Sequence, residues 1–119
     1  MLEVAADAHG CVYINGHING YPVKFLLDTG ASLVAIPTNI LAGLEIERGQ
    51  SVSIVTSNGR APAFKANAKS LALGEIILYD VPVLITPPSR LRCVLLGMSA
   101  LRRLDMRLNQ GILTLRLPE

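Results

Sequence analysis

Short apolar runs alternate with turn-forming pairs along most of the chain. The runs are rich in Val, Ile and Leu, which is typical of strands joined by hairpins. The turn pairs lie at Asn15-Gly16, Asn19-Gly20, Asn58-Gly59, Gly74-Glu75 and Asn109-Gln110-Gly111. The pattern therefore predicts strands at Cys11 to Ile18, Tyr21 to Leu27, Leu33 to Ile36, Val52 to Thr56, Ala61 to Leu73, Ile76 to Ile85, Val94 to Leu96 and Ile112 to Leu117.

Two helical segments interrupt the strands. The first is predicted from Thr38 to Leu44, with the Thr38 hydroxyl capping it after a proline. The second is predicted from Met98 to Leu104, with two arginines in its last turn, where cations complement the helix dipole. The chain is thus predicted to be mostly β with one short C-terminal helix.

Length and composition favour one β domain over residues 1–119. A chain of 119 residues has the commonest size of a single domain. Half of the residues are hydrophobic but only 4% are aromatic, which favours β-structure with apolar surface left for a partner. The net charge of +2 is the balance of eleven basic and nine acidic residues, and the basic ones are spread out apart from Arg90/Arg92 and Arg102/Arg103, so we expect no nucleic-acid partner.

The sequence indicates neither a membrane span nor a metal site. No stretch reaches the roughly 18 apolar residues that a span needs, so we expect no membrane contact within this segment. Any signal or anchor, as in a periplasmic or membrane-associated protein, is expected outside this segment, and the compartment stays open. Cys11 and Cys93 lack metal-type spacing and are expected to be free, buried thiols, and His9 and His17 lack a third ligand. We therefore expect no metal and no cofactor.

Asp28 is the residue at which the sequence points to chemistry. It is the only acidic residue between Asp7 and Glu45, and it directly follows an apolar strand. A carboxylate there is costly to desolvate unless something holds or uses it. Gly30 lets the backbone approach closely, and the Thr29 hydroxyl can bond to a neighbouring chain. An ordinary Asp turn is the alternative interpretation.

A carboxylate used in a pair needs a second copy of the chain. No other Asp here is followed by Thr or Ser and then Gly, so one chain supplies one such carboxylate. A two-fold dimer brings the same residue from each subunit to the axis. Two adjacent carboxylates share one proton, so one can activate water while the other polarises a carbonyl. Peptide-bond hydrolysis is the natural reaction.

Two motifs resemble those of a known family. The run Leu26-Leu27-Asp28-Thr29-Gly30-Ala31-Ser32 resembles the active-site motif of retropepsin-like aspartic proteases. The run Val94-Leu95-Leu96-Gly97 is similar to the segment that passes beneath the catalytic loop in that family, and Gly97 follows Asp28 by 69 residues. The segments Gly97 to Leu101 and Gly111 to Leu115 look like the bacterial, single-domain branch. The resemblance implies a closed β-barrel that assembles as a two-fold homodimer.

The resemblance also implies the site residues and an extended peptide or protein substrate. The catalytic residues would be Asp28, Thr29 and Gly30. A hairpin flap over the substrate would have its tip at Val55 to Arg60, with Asn58-Gly59 as a two-residue turn, although a plain hairpin stays open as an alternative. The residues implied to contact substrate are Ala31, Ser32, Thr56, Ser57, Asn58 and Gly59. Since chain termini form part of the family's dimer sheet, the strand from Ile112 to Leu117 is expected in or beside that interface.

Two other classes of function compete with a homodimeric endopeptidase. The first is a catalytically silent module of the same fold that binds extended peptides or only dimerises. The second is phosphoryl transfer through an aspartyl phosphate, which needs further Asp and Lys residues in a parallel α/β domain. The predicted β structure disfavours the second class, so the endopeptidase and the silent module remain.

Overall fold

Ten strands, one short helix and a 3₁₀ turn make up the chain in the computed structural model, which describes all 119 residues. The helix α1 spans Met98–Leu101, and the 3₁₀ turn spans Thr38–Ile40. The strands are β1 (Leu2–Ala5), β2 (Tyr13–Ile18), β3 (Tyr21–Leu27), β4 (Val34–Pro37), β5 (Ser51–Thr56), β6 (Gly59–Leu73), β7 (Ile76–Thr86), β8 (Val94–Leu96), β9 (Asp105–Asn109) and β10 (Ile112–Arg116).

Six of these strands close into a barrel. Their order is β2-β3-β8-β4-β7-β6, and β6 pairs back to β2 through Leu71, which lies opposite Ile18. The β3–β8 and β4–β7 pairs are parallel, whereas the hairpin pairs are antiparallel. The predicted mostly β fold, a closed barrel with one short C-terminal helix, is confirmed.

The hairpin of β5 and β6 extends beyond the barrel. The strand β6 is 15 residues long, and its first part, from Gly59 to Phe64, pairs with β5. Only its second part pairs with β7 along the barrel, down to Leu73 opposite Ile76. The tip of this hairpin is therefore carried outside the barrel wall.

Alternating apolar side chains fill the barrel. Along β2 the side chains of Ile14 and Ile18 are buried while those of Asn15 and His17 are exposed, which is the period of two that a sheet requires. The same cluster takes in α1 and the apolar side of β10, so the terminal strands share one core with the barrel.

A second, three-stranded sheet joins the two ends of the chain, in the order β1-β10-β9. Its inner face carries Leu113 and Leu115, both fully buried. The strand β10 is bordered on both sides, so the free edges belong to β1 and β9. The sequence prediction missed β1 and β9, although both alternate between apolar and polar residues, because they are short and β1 pairs with a strand from the other end of the chain.

The predicted turn at Asn15-Gly16 is wrong, since both residues lie within β2. A side chain on Gly16 would collide with the carbonyl oxygen of Ala72 and with the ring of Phe25. Glycine is thus needed here for close approach of β6 rather than for a turn. The turn at Asn19-Gly20 is confirmed, because both residues have positive φ between the paired Ile18 and Tyr21.

Both helical predictions overestimated length. Residues Thr38–Ile40 form only a 3₁₀ turn, the Thr38 side chain caps nothing, and Gly43 and Glu45 have positive φ that no helix allows. The helix α1 ends at Leu101: the Arg102 amide is the last to bond four residues back, to Met98, whereas the Arg103 and Leu104 amides bond three residues back.

The two arginines after α1 bond to backbone carbonyls rather than lying in its last turn. Arg102 Nε donates to the Met98 carbonyl at 3.0 Å, and Arg103 Nη1 donates to the Tyr79 carbonyl at 2.7 Å. The second bond ties the segment after α1 to β7. The prediction that both arginines lie in the last turn of the helix was therefore wrong, because both follow the helix. Each of them does, however, donate a hydrogen bond to a carbonyl oxygen.

A buried hydroxyl fastens α1 to the barrel. Ser99 Oγ accepts a hydrogen bond from the Val34 amide at 2.9 Å and donates one to the Pro82 carbonyl at 2.7 Å. It therefore links the helix to both β4 and β7. Because Ser99 and Val34 are buried, neither group can turn to water instead.

Replacing Gly16→Ala is expected to destabilise the fold by about 1–3 kcal/mol or more, because the added methyl forces β2 away from β6. Chemical denaturation measures the loss. The adjacent exposed position offers a matched control, Asn15→Ala, which should stay within about 0.5 kcal/mol of the unchanged protein. Equal stability of the two variants would show that this approach of the strands is not tight.

Replacing Ser99→Ala is expected to cost about 1–3 kcal/mol, since the Val34 amide loses its partner in a buried place. The exposed Ser51, whose side chain makes no hydrogen bond, provides the control Ser51→Ala. Thermal unfolding of both variants checks the difference, and a Ser99→Ala protein as stable as its control would refute the role of this hydroxyl.

Candidate active site

Asp28 lies where β3 leaves the barrel. The last pair of the parallel β3–β8 ladder is Leu27 opposite Leu96, and the Asp28 amide donates to the Leu96 carbonyl at 3.1 Å. The strand thus holds the backbone of Asp28 up to the point at which its side chain emerges. The chain then turns through Thr29 and Gly30.

The turn is closed by bonds to Asp28 itself. Its Oδ1 atom accepts a hydrogen bond from the Gly30 amide at 3.0 Å, and its carbonyl accepts one from the Ala31 amide at 3.2 Å. The side chain of Asp28 is half-buried, whereas Thr29 and Gly30 are exposed. The Oδ2 atom of Asp28 and the Thr29 hydroxyl have no partner within the chain, so both can bond to something outside it.

Gly97 supports this turn from beneath. A side chain at Gly97 would collide with the carbonyls of Leu33 and Ala31, so only glycine lets β8 pass this close. The next residue, Met98, donates its amide to the Ala31 carbonyl at 2.8 Å. The segment predicted to run beneath the Asp28 loop therefore does so, with one backbone bond on each side of Gly97.

A cleft of about 480 Å3 opens beside this loop. The tip of the β5–β6 hairpin and the loop after β7 both contribute to its lining. Its lining is largely apolar or small: Ala35, Pro37, Thr56, Ser57, Asn58, Arg60, Ala61, Thr86, Pro87, Pro88, Ser89, Leu91, Cys93 and Leu95.

Three of the residues expected to contact substrate line this cleft, namely Thr56, Ser57 and Asn58. The other three do not: Gly59 completes the hairpin turn, and Ala31 and Ser32 lie outside the lining. The predicted catalytic residues Asp28, Thr29 and Gly30 also lie outside it. The cleft is nevertheless close to the Asp28 loop, because Leu95 in its lining directly precedes Leu96, to which the Asp28 amide is bonded.

The hairpin tip is organised differently from the prediction. Its central residues are Ser57 and Asn58, because Thr56 already pairs with Gly59. Gly59 has φ of +98°, so glycine relieves strain just after the turn. The Thr56 hydroxyl holds the tip by accepting from the Asn58 amide at 3.2 Å and donating to the Gly59 carbonyl at 2.7 Å.

Sequence reasoning missed most of the cleft. The loop at Pro87-Pro88 has a recognisable signal, because paired prolines mark an extended segment. Cys93 and Leu95 carry no such signal, since their part in the lining depends on how β8 lies between β3 and β4. The sequence prediction of free, buried thiols fits Cys93, while Cys11 is only half-buried.

The site offers one group for proton transfer, the carboxyl group of Asp28. Asp28 is the one carboxylate of the loop, and no cluster of three or more metal-binding side chains exists in the chain. The one helix, α1, has four residues and is far too short to span a membrane. What the arrangement offers is an anchored carboxylate with one free oxygen, next to a largely apolar cleft.

Comparison with known proteins agrees with this geometry. A family model described as "gag-polyprotein putative aspartyl protease" matches residues 14–103. The crystal structure of a retropepsin-like aspartic protease from Rickettsia conorii is similar with a TM-score of 0.79 and 27% sequence identity, covering 96% of this chain and 88% of that one.

A curated relative gives no activity. It is an uncharacterized protein in the cobV 5′ region of Sinorhizobium sp, 28% identical over 102 residues. The match covers 78% of this chain but 44% of the relative, so the chain spans less than half of the relative's length. Because the family model covers well over half of the chain and the barrel matches that of the Rickettsia protease, this protein belongs to the gag-polyprotein aspartyl protease family and is retropepsin-like.

Proposed function

We propose that the protein is an aspartic endopeptidase that works as a two-fold homodimer, with one Asp28 from each subunit. The observation that carries the proposal is the Asp28 loop: a carboxylate fixed through Oδ1 and through its backbone, with Oδ2 left free. An ordinary turn residue needs no glycine-dependent support from a second strand. Here Gly97 and the Met98 amide provide such support.

Two Asp28 carboxylates at a two-fold axis share one proton, because two adjacent negative charges repel each other. The ionised carboxylate takes a proton from a water molecule, whose oxygen attacks the carbonyl carbon of the peptide bond. The protonated carboxylate gives its proton to the carbonyl oxygen. The carboxyl group that took the proton from water then gives it to the amide nitrogen, while the other, now ionised, carboxylate takes a proton from one hydroxyl of the tetrahedral intermediate. The C–N bond breaks, a carboxylic acid and an amine leave, and the pair again holds one proton without any covalent enzyme intermediate.

The cleft suits a peptide in extended conformation. A hairpin and a proline-rich loop both line it, and an extended peptide in the cleft can add to the hairpin in the manner of a further strand. The hairpin tip at Ser57 and Asn58 would then act as a flap that excludes water from the reacting bond. The apolar lining favours substrates with apolar side chains around the cleavage site.

The terminal sheet supports the dimer. The strand β9 has a free edge. Its residues Met106 and Leu108 lie opposite the buried leucines of β10, on the same face of the sheet, but they are not covered: Met106 is 39% exposed and Leu108 is 58% exposed. A strand edge with uncovered apolar side chains is a surface that a second chain can complete. The predicted interface strand, Ile112 to Leu117, lies next to this edge.

Replacing Asp28→Asn is expected to lower the rate of peptide cleavage by about 10²–10⁴-fold, because an amide cannot exchange the proton that the pair shares. Cleavage of a mixed decapeptide library, read by mass spectrometry, measures the loss. Asp80→Asn is the matched control, since Asp80 is exposed and has a positive φ that Asn tolerates.

The control variant should keep full activity, and both variants should remain folded. Cleavage that survives in Asp28→Asn would refute the proposed function. Peptide binding without cleavage in the unchanged protein would instead favour the silent module.

A further inference from the structure

The loop that walls the cleft is held by few bonds. No backbone–backbone hydrogen bond joins residues 87–92 to the rest of the chain. Pro87 and Pro88 have no amide to donate. The position of this wall therefore depends on side chains that reach it from elsewhere.

Asn39 makes two reciprocal hydrogen bonds with the backbone of this loop. Its Nδ2 atom donates to the Ser89 carbonyl at 2.9 Å, and its Oδ1 atom accepts from the Ser89 amide at 3.0 Å. The parallel ladder between β4 and β7 ends at Pro37 opposite Thr86. The side chain of Asn39 thus extends this ladder by one step, with its amide in place of a peptide group.

We call the two hydrogen bonds between Asn39 and Ser89 the clamp. Two further hydrogen bonds connect it to the buried thiol of Cys93. The Leu91 amide donates to Ser89 Oγ at 3.2 Å, and Cys93 Sγ donates to the Leu91 carbonyl at 3.2 Å. Cys93 is 4% exposed and lines the cleft beneath the loop. Movement of the loop away from the barrel would uncover this thiol.

We propose that Asn39 is a positioning residue that fixes the loop from Pro87 to Leu91 and thereby sets the size of the side chain that the cleft accepts. Pro87, Pro88, Ser89 and Leu91 all line the cleft, so a displacement of the loop widens it directly. The part concerning specificity rests on the proposed function. The clamp itself is independent of catalysis.

Thiol accessibility tests the clamp without any cleavage. In a Cys11→Ser background, the rate at which a small aromatic disulfide modifies Cys93 reports how often the loop opens. Asn39→Ala should accelerate this modification by roughly fivefold, because it removes two hydrogen bonds that lie exposed to solvent. Asn39→Asp keeps the acceptor for the Ser89 amide but places a carboxylate oxygen against the Ser89 carbonyl oxygen, so it should also accelerate the modification.

The control for this experiment is Asn67→Ala, because Asn67 is exposed on β6 and makes no side-chain hydrogen bond. It should leave the modification rate unchanged. A rate in Asn39→Ala equal to that of the control would overturn the proposal. If Asn39→Ala does not unfold cooperatively and is therefore not properly folded, the comparison of Asn39→Asp with the same control decides instead.

Specificity is tested with fluorogenic decapeptides that differ only in having Ala, Leu or Phe at one apolar position. Asn39→Ala should reduce the discrimination among these peptides by several-fold through KM, with kcat changed by less than about twofold, since no hydrogen bond joins this loop to the Asp28 turn. Unchanged discrimination despite a more accessible Cys93 would overturn the specificity role. If the unchanged protein cleaves no peptide, the proposed function fails. The thiol measurement needs no cleavage and can be made on Asp28→Asn, so it still decides whether Asn39 holds the loop.

Discussion

The close passage of β8 beneath the Asp28 loop is the constraint on which the rest of the site depends. Backbone bonds on both sides of Gly97, from the Asp28 amide to Leu96 and from the Met98 amide to Ala31, fix the loop to the barrel. Only glycine permits this approach. A flexible turn would let the carboxylate rotate, whereas this loop presents Asp28 in one orientation. Such preorganisation is what general acid–base chemistry requires.

The sequence predicted the parts of the fold that depend on local pattern. The hairpin of β2 and β3 was found because Asn19-Gly20 suits a turn with two positive φ angles, and β7 was found from its apolar run. Gly16 misled the prediction, because the need for glycine there comes from β6, which is distant in sequence. The helix lengths were overestimated for a similar reason, since tertiary bonds such as that from Arg103 to Tyr79 decide where the segment after α1 lies.

The candidate site likewise contains residues that local sequence motifs predict and residues that only contacts between distant segments bring together. Asp28 and Gly97 stand in recognisable motifs, so they could be placed from sequence. The cleft wall could not, because Asn39 and Ser89 are 50 residues apart and nothing in either segment indicates that they meet. Contacts of this kind, in which a single side chain replaces a backbone ladder, leave no periodic trace in the sequence.

On the proposed function, one subunit contributes half of an active site. The barrel supplies one anchored carboxylate with a free oxygen, one hairpin and one apolar cleft, while β9 leaves an uncovered edge with exposed apolar side chains. Two-fold assembly would supply the second carboxylate and cover the exposed edge together. Catalysis and association are then linked, because a protomer without its partner lacks the second acid.

Mixing unchanged subunits with Asp28→Asn subunits tests this linkage most directly. The total protein is held constant well above the concentration at which dimers form, the subunits are allowed to exchange, and peptide cleavage is measured against the mixing ratio. If each active site needs Asp28 from both chains, activity falls as the square of the unchanged fraction, to about a quarter in an equal mixture. A linear decline, to about half, would show that each chain acts alone and would contradict the shared site.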